Sequence, residues 1–173
     1  MMTTTTTPSS SSDANSPQPL LDALAPVLQK LAPEQAPLLL AALERMAADK
    51  YRAWADQTQD TVEKKGLLDC ADREEAISEF IESLEEGNKH FEERMAALKD
   101  LIANTKALYD EALDGHDRKT QFQLQAAGEL GGANFMRQFR EAHGSGPIAA
   151  QFEALALGEE ANSKFLSVLV ESM

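Results

Sequence analysis

The sequence predicts a single all-α domain built as a helical bundle, and three observations favour this fold class. Hydrophobic residues make up 43% of the 173 residues, which is enough for a core, whereas aromatic residues make up only 6% and glycines number 9. Turn signals divide the chain into segments of helical length, and no strand pattern competes with them. The apolar residues of these segments recur at alternating intervals of four and three, the spacing of a bundle core.

Six helices are predicted, preceded by a leader at residues 1–19. The leader is rich in Thr, Ser and Pro and buries no apolar surface, which predicts disorder. Pro26 marks the first helix as broken or capping, Pro33 and Pro37 open the second, and a Gly-Ser-Gly-Pro turn at 144–147 precedes the last. The predicted helices span residues 20–31, 33–58, 62–84, 88–114, 118–142 and 148–170, within one domain at 20–173.

The charge balance and the single cysteine exclude several classes of function. The 16 basic and 29 acidic residues give a formal charge of −13 without any run of Lys and Arg, so nucleic acid and anionic membranes are repelled. Cys70 alone permits neither an internal disulfide nor a Cys-rich zinc site. The absence of a phosphate-binding glycine loop or a nucleophile constellation argues against nucleotide-dependent enzymes and hydrolases. No membrane span or secretory signal is expected, and a cytoplasmic location is predicted.

Four of the long helices carry one glutamate each within a largely apolar seam. These residues are Glu44, Glu74, Glu129 and Glu159. The first two lie about 15 residues from the joint between their helices, and the last two lie 15 residues on either side of the glycine at 144. At about 1.5 Å of rise per residue, all four fall roughly 22 Å from the turn of their hairpin. The spacing therefore predicts one layer of carboxylates across the bundle.

The two helix pairs that carry these glutamates repeat each other. Shifting the chain by 85 residues places Glu44 on Glu129, and places the sequence Glu-Glu-Ala at 74–76 on the identical sequence at 159–161. Two hairpins, residues 34–84 and 118–170, are therefore interpreted as products of an ancient duplication. The helix at 88–114 then returns the chain along the bundle, so that the fifth helix starts at the end where the third began.

This arrangement resembles the ferritin-like superfamily, most closely its rubrerythrin-type branch. Glu44 followed by Tyr51 is similar to the first-helix signature of that branch, and residues 148–162 are similar to its last helix. The resemblance covers about residues 34–170. It implies a ferritin-like four-helix bundle of two duplicated helical hairpins, with a helical crossover and a short N-terminal helix. Such bundles hold iron with one glutamate from each of two helices and an E-x-x-H pair from each of the other two.

The resemblance also implies which residues form the site, and it shows where this chain departs from the family. Glu44 and Glu129 match the family's single glutamates. The other two seam glutamates match those of the E-x-x-H motifs, whose histidine positions here hold Ile77 and Asn162. The expected metal ligands are Glu44, Glu74, Glu129, Glu159 and Asn162, and the expected supporting residues are Tyr51, Glu75 and Glu160. Without imidazole, which helps to select iron, zinc and copper, such a site prefers Mn²⁺, Mg²⁺ or Ca²⁺.

Two hypotheses for function stay open. In the first, the bundle holds one or two hard metal ions, with Fe, Mn or another divalent cation as cofactor. If iron is bound, the resemblance implies a metal-dependent oxidoreductase that uses dioxygen or peroxide. In the second, no metal is bound, the glutamates are protonated or paired with Arg45 or Arg73, and the protein is an oligomeric helical scaffold. The second is favoured for activity, so no catalysis is predicted, and a homo-oligomer, a dimer, is expected.

A patch of small residues at 126–133 includes Gly128, Gly131 and Gly132 inside the predicted fifth helix. Each glycine costs about 1 kcal/mol relative to alanine in a helix. Two interpretations stay open: close approach to another helix, including one across a dimer, and a kink or break in the helix.

Overall fold

The structure, a computed structural model, describes residues 20–87 and 90–173. Over these residues all regular structure is helical, so the prediction of an all-α bundle is confirmed. The elements are α1 (Leu20–Leu28), a 3-10 turn (Pro33–Gln35), α2 (Ala36–Gln57), α3 (Thr61–Glu86), α4 (Phe91–Asp114), α5 (Arg118–Ala142) and α6 (Pro147–Ser172). The predicted disordered leader at 1–19 and the predicted start of the fourth helix at 88 lie outside the described residues.

Prolines and aspartates determine where several helices begin. Pro37 lies in the first turn of α2, where a missing backbone N–H is tolerated. Asp60 caps α3 by accepting hydrogen bonds from the backbone nitrogens of Val62 and Glu63, at 2.8 and 2.9 Å. Asp117 caps α5 in the same manner. The observed bounds lie within a few residues of the predicted ones. They differ at the ends because sequence periodicity specifies helix ends less sharply than helix interiors.

The long helices form two hairpins with α4 beside them. α2 packs along α3, α5 packs along α6, and α3 also contacts α6. Arg94, near the start of α4, donates to the backbone oxygen of Glu34, just before α2. Lys50, in the second half of α2, pairs with Asp114 at the end of α4 at 2.8 Å. α4 therefore runs in the same direction as α2.

The start of α5 lies beside the start of α3. Arg118 pairs with Glu63 at 2.6 Å and also donates to the backbone oxygen of Trp54 at 3.2 Å. The indole nitrogen of Trp54 donates to the side chain of Gln121 at 2.9 Å. α5 therefore runs antiparallel to α2. This direction brings the middle of α5 to the same level as the middle of α2.

The apolar core consists of two clusters, one on either side of the seam glutamates. The larger includes Tyr51, Trp54, Leu67, Cys70, Phe122 and Leu166, and the smaller includes Ala41, Ile77, Ile81, Met136, Phe152 and Ala156. In α2, α3, α5 and α6 alike, the glutamate lies between residues of one cluster and residues of the other. In the larger cluster Trp54 packs edge-on against Tyr51 and Phe122, at 5.5 and 4.9 Å between ring centres.

α4 packs through the apolar seam that the sequence predicts for it. Leu98, Tyr109 and Leu113 are buried, and so is Thr105, whose hydroxyl donates to the backbone oxygen of Leu101 at 2.7 Å. The opposite side of the helix is exposed. None of the described helices combines the length and the apolar character that crossing a lipid bilayer requires.

Replacing Asp60 with Ala is expected to lower the free energy of unfolding by about 1 kcal/mol. The substitution leaves two backbone N–H groups of α3 without their acceptor. Urea denaturation followed by circular dichroism measures the loss. Asp72→Ala, at an exposed position within the same helix, is the control and should change stability by less than about 0.5 kcal/mol. Equal effects of the two substitutions would contradict the capping role.

Candidate functional site

The four seam glutamates meet in the middle of the bundle. Glu44, Glu74, Glu129 and Glu159 are 7%, 0%, 2% and 1% exposed. Glu44, Glu74 and Glu159 each present a carboxylate oxygen, and these three oxygens lie within 4.8 Å of one another. The structure therefore brings together, from three helices, the acids that the sequence places at one level. We refer to the four residues as the carboxylate cluster.

Glu129 is held by hydrogen bonds from neighbouring polar side chains. The hydroxyl of Tyr51 and the amide nitrogen of Gln125 both donate to its Oε1, at 2.8 and 2.6 Å. The hydroxyl of Tyr109 donates to the amide oxygen of Gln125 at 2.7 Å, which leaves the amide nitrogen facing Glu129. Tyr51 was expected to support the site. Gln125 and Tyr109 were not, although both lie on seam positions of their helices.

Asn162 donates to the cluster and does not present its oxygen to it. Its Nδ2 donates to Oε1 of Glu74 and, at 3.3 Å, to Oε2 of Glu129. Its Oδ1 accepts a hydrogen bond from Nε of Arg73 at 2.6 Å. Because a guanidinium group only donates, Arg73 determines which way the amide points. In this orientation Asn162, an expected ligand, offers the carboxylates N–H groups, whereas a cation would require its oxygen.

The two arginines considered as counter-ions do not pair with the cluster. Arg45 makes two hydrogen bonds to Glu82 at the surface, at 3.0 and 2.7 Å. Arg73 contacts Asn162 and donates to Sγ of Cys70 at 3.3 Å. Among the described residues, neither forms an ion pair with a cluster carboxylate. Direct contact with either arginine therefore does not stabilise the ionised form of the cluster acids.

The two further glutamates that were expected to support the site pair elsewhere, and the family histidine position on α3 is apolar. Glu75 pairs with Arg52, and Glu160 pairs with Arg137 at 2.7 Å, in both cases at the surface. Each follows a cluster glutamate by one residue, and one residue of helix turns a side chain by about 100°. Ile77, at the position of a family histidine, is 1% exposed and packs in the smaller apolar cluster.

Two carboxylate oxygens of the cluster accept no hydrogen bond from the amide, hydroxyl and guanidinium groups around them. They are Oε2 of Glu74 and Oε1 of Glu159, and both are buried. Burial raises the pKa of Glu44 to about 7, and burial with the neighbouring carboxylates raises the pKa values of Glu74 and Glu159 well above their usual range. Ionised carboxylates only accept hydrogen bonds, so a proton or a cation is required between them.

Gly132 makes room for one of these oxygens. A Cβ atom at position 132 would lie 2.6 Å from Oε1 of Glu159, which is closer than any real contact. At Gly128, a Cβ atom would lie 3.3 Å from the side chain of Leu20. α5 continues without a break through the patch of small residues. At these two glycines the space of a side chain is therefore taken by side chains of α1 and α6, and the expectation of a break in the helix is wrong.

A cavity of about 120 Å³ reaches the cluster from between α1, α2 and α5. Its walls are mainly apolar and include Leu20, Leu24, Leu40, Leu43, Phe135 and Phe139. Its polar lining consists of Glu44, Tyr109, Gln125, Glu129 and Glu159. Glu74 does not line it. A mainly apolar passage thus reaches Glu44, Glu129 and Glu159.

No protein-family model, curated protein or solved structure matches this chain significantly. A proposal for function must therefore be argued from the geometry and chemistry of the carboxylate cluster.

In the presence of a chelator, stability is expected to fall as the pH rises from about 4.5 to about 7. The pKa of Glu44 is about 7 in the folded protein, against an ordinary value of 4.5. The folded state therefore holds more protons than the unfolded state in this window, and deprotonation favours unfolding. Glu74 and Glu159, whose pKa values are raised further, extend the fall to higher pH. Urea denaturation at a series of pH values in EDTA measures the effect.

Glu44→Gln should reduce this fall, because glutamine does not titrate. Glu79→Gln, at an exposed position of α3, is the control and should leave the pH dependence as in the wild type. A stability that rises across the same window would contradict the raised pKa values.

Proposed function

We propose that this protein is a helical bundle that binds a divalent cation through Glu44, Glu74 and Glu159. The observation that carries the proposal is the convergence of three buried carboxylate oxygens within 4.8 Å, with an unpartnered oxygen on Glu74 and another on Glu159. A divalent cation removes the repulsion between the acids and gives both oxygens a partner. The proposal therefore depends on how the carboxylate oxygens converge, and not on the number of acids alone.

The donor set favours a hard ion. Three carboxylates supply only oxygen, and the two family histidine positions supply no imidazole, since Ile77 is apolar and the oxygen of Asn162 is held by Arg73. Oxygen ligands suit Mn²⁺, Mg²⁺ and Ca²⁺ better than they suit zinc or copper. One such ion takes three carboxylates. A second ion requires Glu129 to exchange its hydrogen bonds for a metal bond.

The order and direction of the helices support a ferritin-like origin of the bundle. Two hairpins are separated by α4, which runs with α2, and α5 begins beside the start of α3. One glutamate from each of the four hairpin helices enters the same buried layer. We infer a divergent member of the rubrerythrin-type branch in which carboxylate ligands are retained and the imidazole ligands are lost.

A second candidate function is a metal-free structural bundle, as a homo-oligomer. One observation favours it: Asn162 donates to both Glu74 and Glu129 while Arg73 holds its oxygen, an arrangement that satisfies part of the cluster without a cation. With raised pKa values, the remaining acids can carry protons at neutral pH. In that case neither a cofactor nor catalysis is expected.

Adding Mn²⁺ to chelator-treated protein is expected to raise the free energy of unfolding by about 2.7 kcal/mol when free Mn²⁺ is 100 times its dissociation constant. Metal analysis of protein purified without chelator, and thermal melting in EDTA and in Mn²⁺, provide the measurements. An unchanged melting temperature together with no bound metal would favour the structural bundle.

Glu74→Gln should have opposite effects on the stability of the protein in EDTA and in Mn²⁺. In EDTA the variant should be more stable than the wild type, because one buried acid is removed. In Mn²⁺ it should be less stable, because a ligand is lost. Glu75→Gln is the matched control, since this neighbouring residue pairs with Arg52 at the surface. A variant more stable than the wild type in both conditions would contradict metal binding at the cluster.

Restoring both histidines tests the inferred origin. Ile77→His with Asn162→His rebuilds an E-x-x-H pair on α3 and α6, and is expected to shift metal preference from Mn²⁺ towards Co²⁺ and Zn²⁺, since imidazole suits these ions. Competition between the metals, followed by Co²⁺ absorption, measures the preference. The control carries Ala76→His with Ala161→His, at adjacent exposed positions. The same preference in both double variants would contradict the inferred motif.

A further inference from the structure

The cavity beside the carboxylate cluster has the size of a small organic molecule. Its volume is about 120 Å³. An apolar cavity of about 150 Å³ in another protein binds benzene, so a body of about six to eight non-hydrogen atoms is the appropriate scale. Leu40, Leu43 and Phe139 belong to its walls, and none of these side chains offers a hydrogen bond. The occupant that these walls favour is therefore largely apolar.

One end of the cavity is polar. Glu44 and Glu159 form part of its lining, whereas Glu74 lies outside it. An ion held by these three carboxylates has further coordination positions to fill, because hard cations take six or more oxygen ligands. Because Glu44 and Glu159 line the cavity, an ion held by them would be open to it. An oxygen atom on the occupant can reach the ion or the carboxylates from there.

The charge of the site disfavours an anionic head group on the occupant. Three carboxylates around a divalent ion, with Glu129 beside them, leave the site negative. A carboxylate or phosphate head would add to that charge and be repelled. A neutral hydroxyl group carries no such cost, and it can donate to a carboxylate while its oxygen faces the ion. An alcohol therefore fits the site better than an acid.

We propose that the cavity binds a small neutral alcohol, whose apolar body lies between α1, α2 and α5 and whose hydroxyl group faces Glu44 and Glu159. The contact of the hydroxyl oxygen with a metal ion rests on the proposed function. The fit of the apolar body and the hydrogen bond to a carboxylate are independent of the proposed function. The cavity is thus a ligand site next to the proposed metal site, and the two sites share Glu44 and Glu159.

Cyclohexanol, cyclohexane and cyclohexanecarboxylate are suitable probes, because they share a ring and differ in the head group. Cyclohexanol should bind the Mn²⁺-loaded full chain at least about tenfold more tightly than cyclohexane, since it gains one hydrogen bond to a charged group. Cyclohexanecarboxylate should not bind. Ligand-observed proton NMR also reports position, since bound Mn²⁺ increases proton relaxation steeply at short distance. The effect should be largest for the proton on the hydroxyl-bearing carbon.

Substitutions that fill the cavity test its location. Ala47 is 4% exposed, lines the cavity and lies one helical turn after Glu44. Ala47→Leu should weaken cyclohexanol binding at least about tenfold while Mn²⁺ affinity stays within about twofold. Leu40→Phe fills the same space if Ala47→Leu fails to fold. Ala53→Leu, at an exposed position of α2, is the matched control and should bind cyclohexanol like the wild type.

The outcomes separate this inference from the proposed function. If Mn²⁺ binds and cyclohexanol does not, or cyclohexanecarboxylate binds better, the alcohol site is wrong and the metal site stands. If Mn²⁺ does not bind, the metal site is wrong, and cyclohexanol is then tested on the metal-free protein. Binding that is lost in Ala47→Leu and kept in Ala53→Leu supports the cavity site, and the absence of binding overturns it.

Discussion

Burial of four carboxylic acids at one level is the constraint on which the rest of this structure depends. Glu44, Glu74, Glu129 and Glu159 replace apolar residues in the middle of four helices and divide the core into two clusters. The effective penalty for burying an uncompensated charge is several kcal/mol per ion, whereas an apolar side chain at the same position would stabilise the bundle. The neighbouring side chains, together with the protons or the cation that the acids hold, must offset this cost. The hydrogen bonds around the cluster offset part of this cost.

The four acids are compensated unevenly by the side chains around them. Glu129 receives hydrogen bonds from three side chains, whereas Glu74 and Glu159 each retain an unpartnered oxygen. Gly132 leaves space for the oxygen of Glu159, in the wall of a cavity that is otherwise mainly apolar. A structural network gains stability by satisfying every member, since an unpartnered buried polar group costs about 1–3 kcal/mol. The unpartnered oxygens therefore mark the part of the layer that requires a proton or a cation.

Much of the fold and the positions of the acids could be predicted from periodicity, but the partners of the acids could not. Gln125 and Tyr109 lie on seam positions, yet a seam shows only that a side chain is buried, and the atoms it meets depend on another helix. Arg45 and Arg73 both lie one residue from a seam glutamate. Arg45 bonds to Glu82 on α3, whereas Arg73 bonds to Asn162 on α6, because the two arginines face different neighbouring helices. Glutamates that follow the cluster acids by one residue pair with surface arginines, since one residue rotates a side chain away from the core.

Local chain geometry is sufficient to place the helices, their buried faces and the common height of the four acids. The period of 3.6 residues and the rise of about 1.5 Å per residue are properties of each helix alone, and they are encoded in the order of the residues. Which oxygen of Glu74 or Glu159 remains without a partner, which way the amide of Asn162 points, and where the cavity lies depend on distances between helices. Those distances are set by side chains far apart in the chain, and for that reason they emerge only when the bundle is assembled.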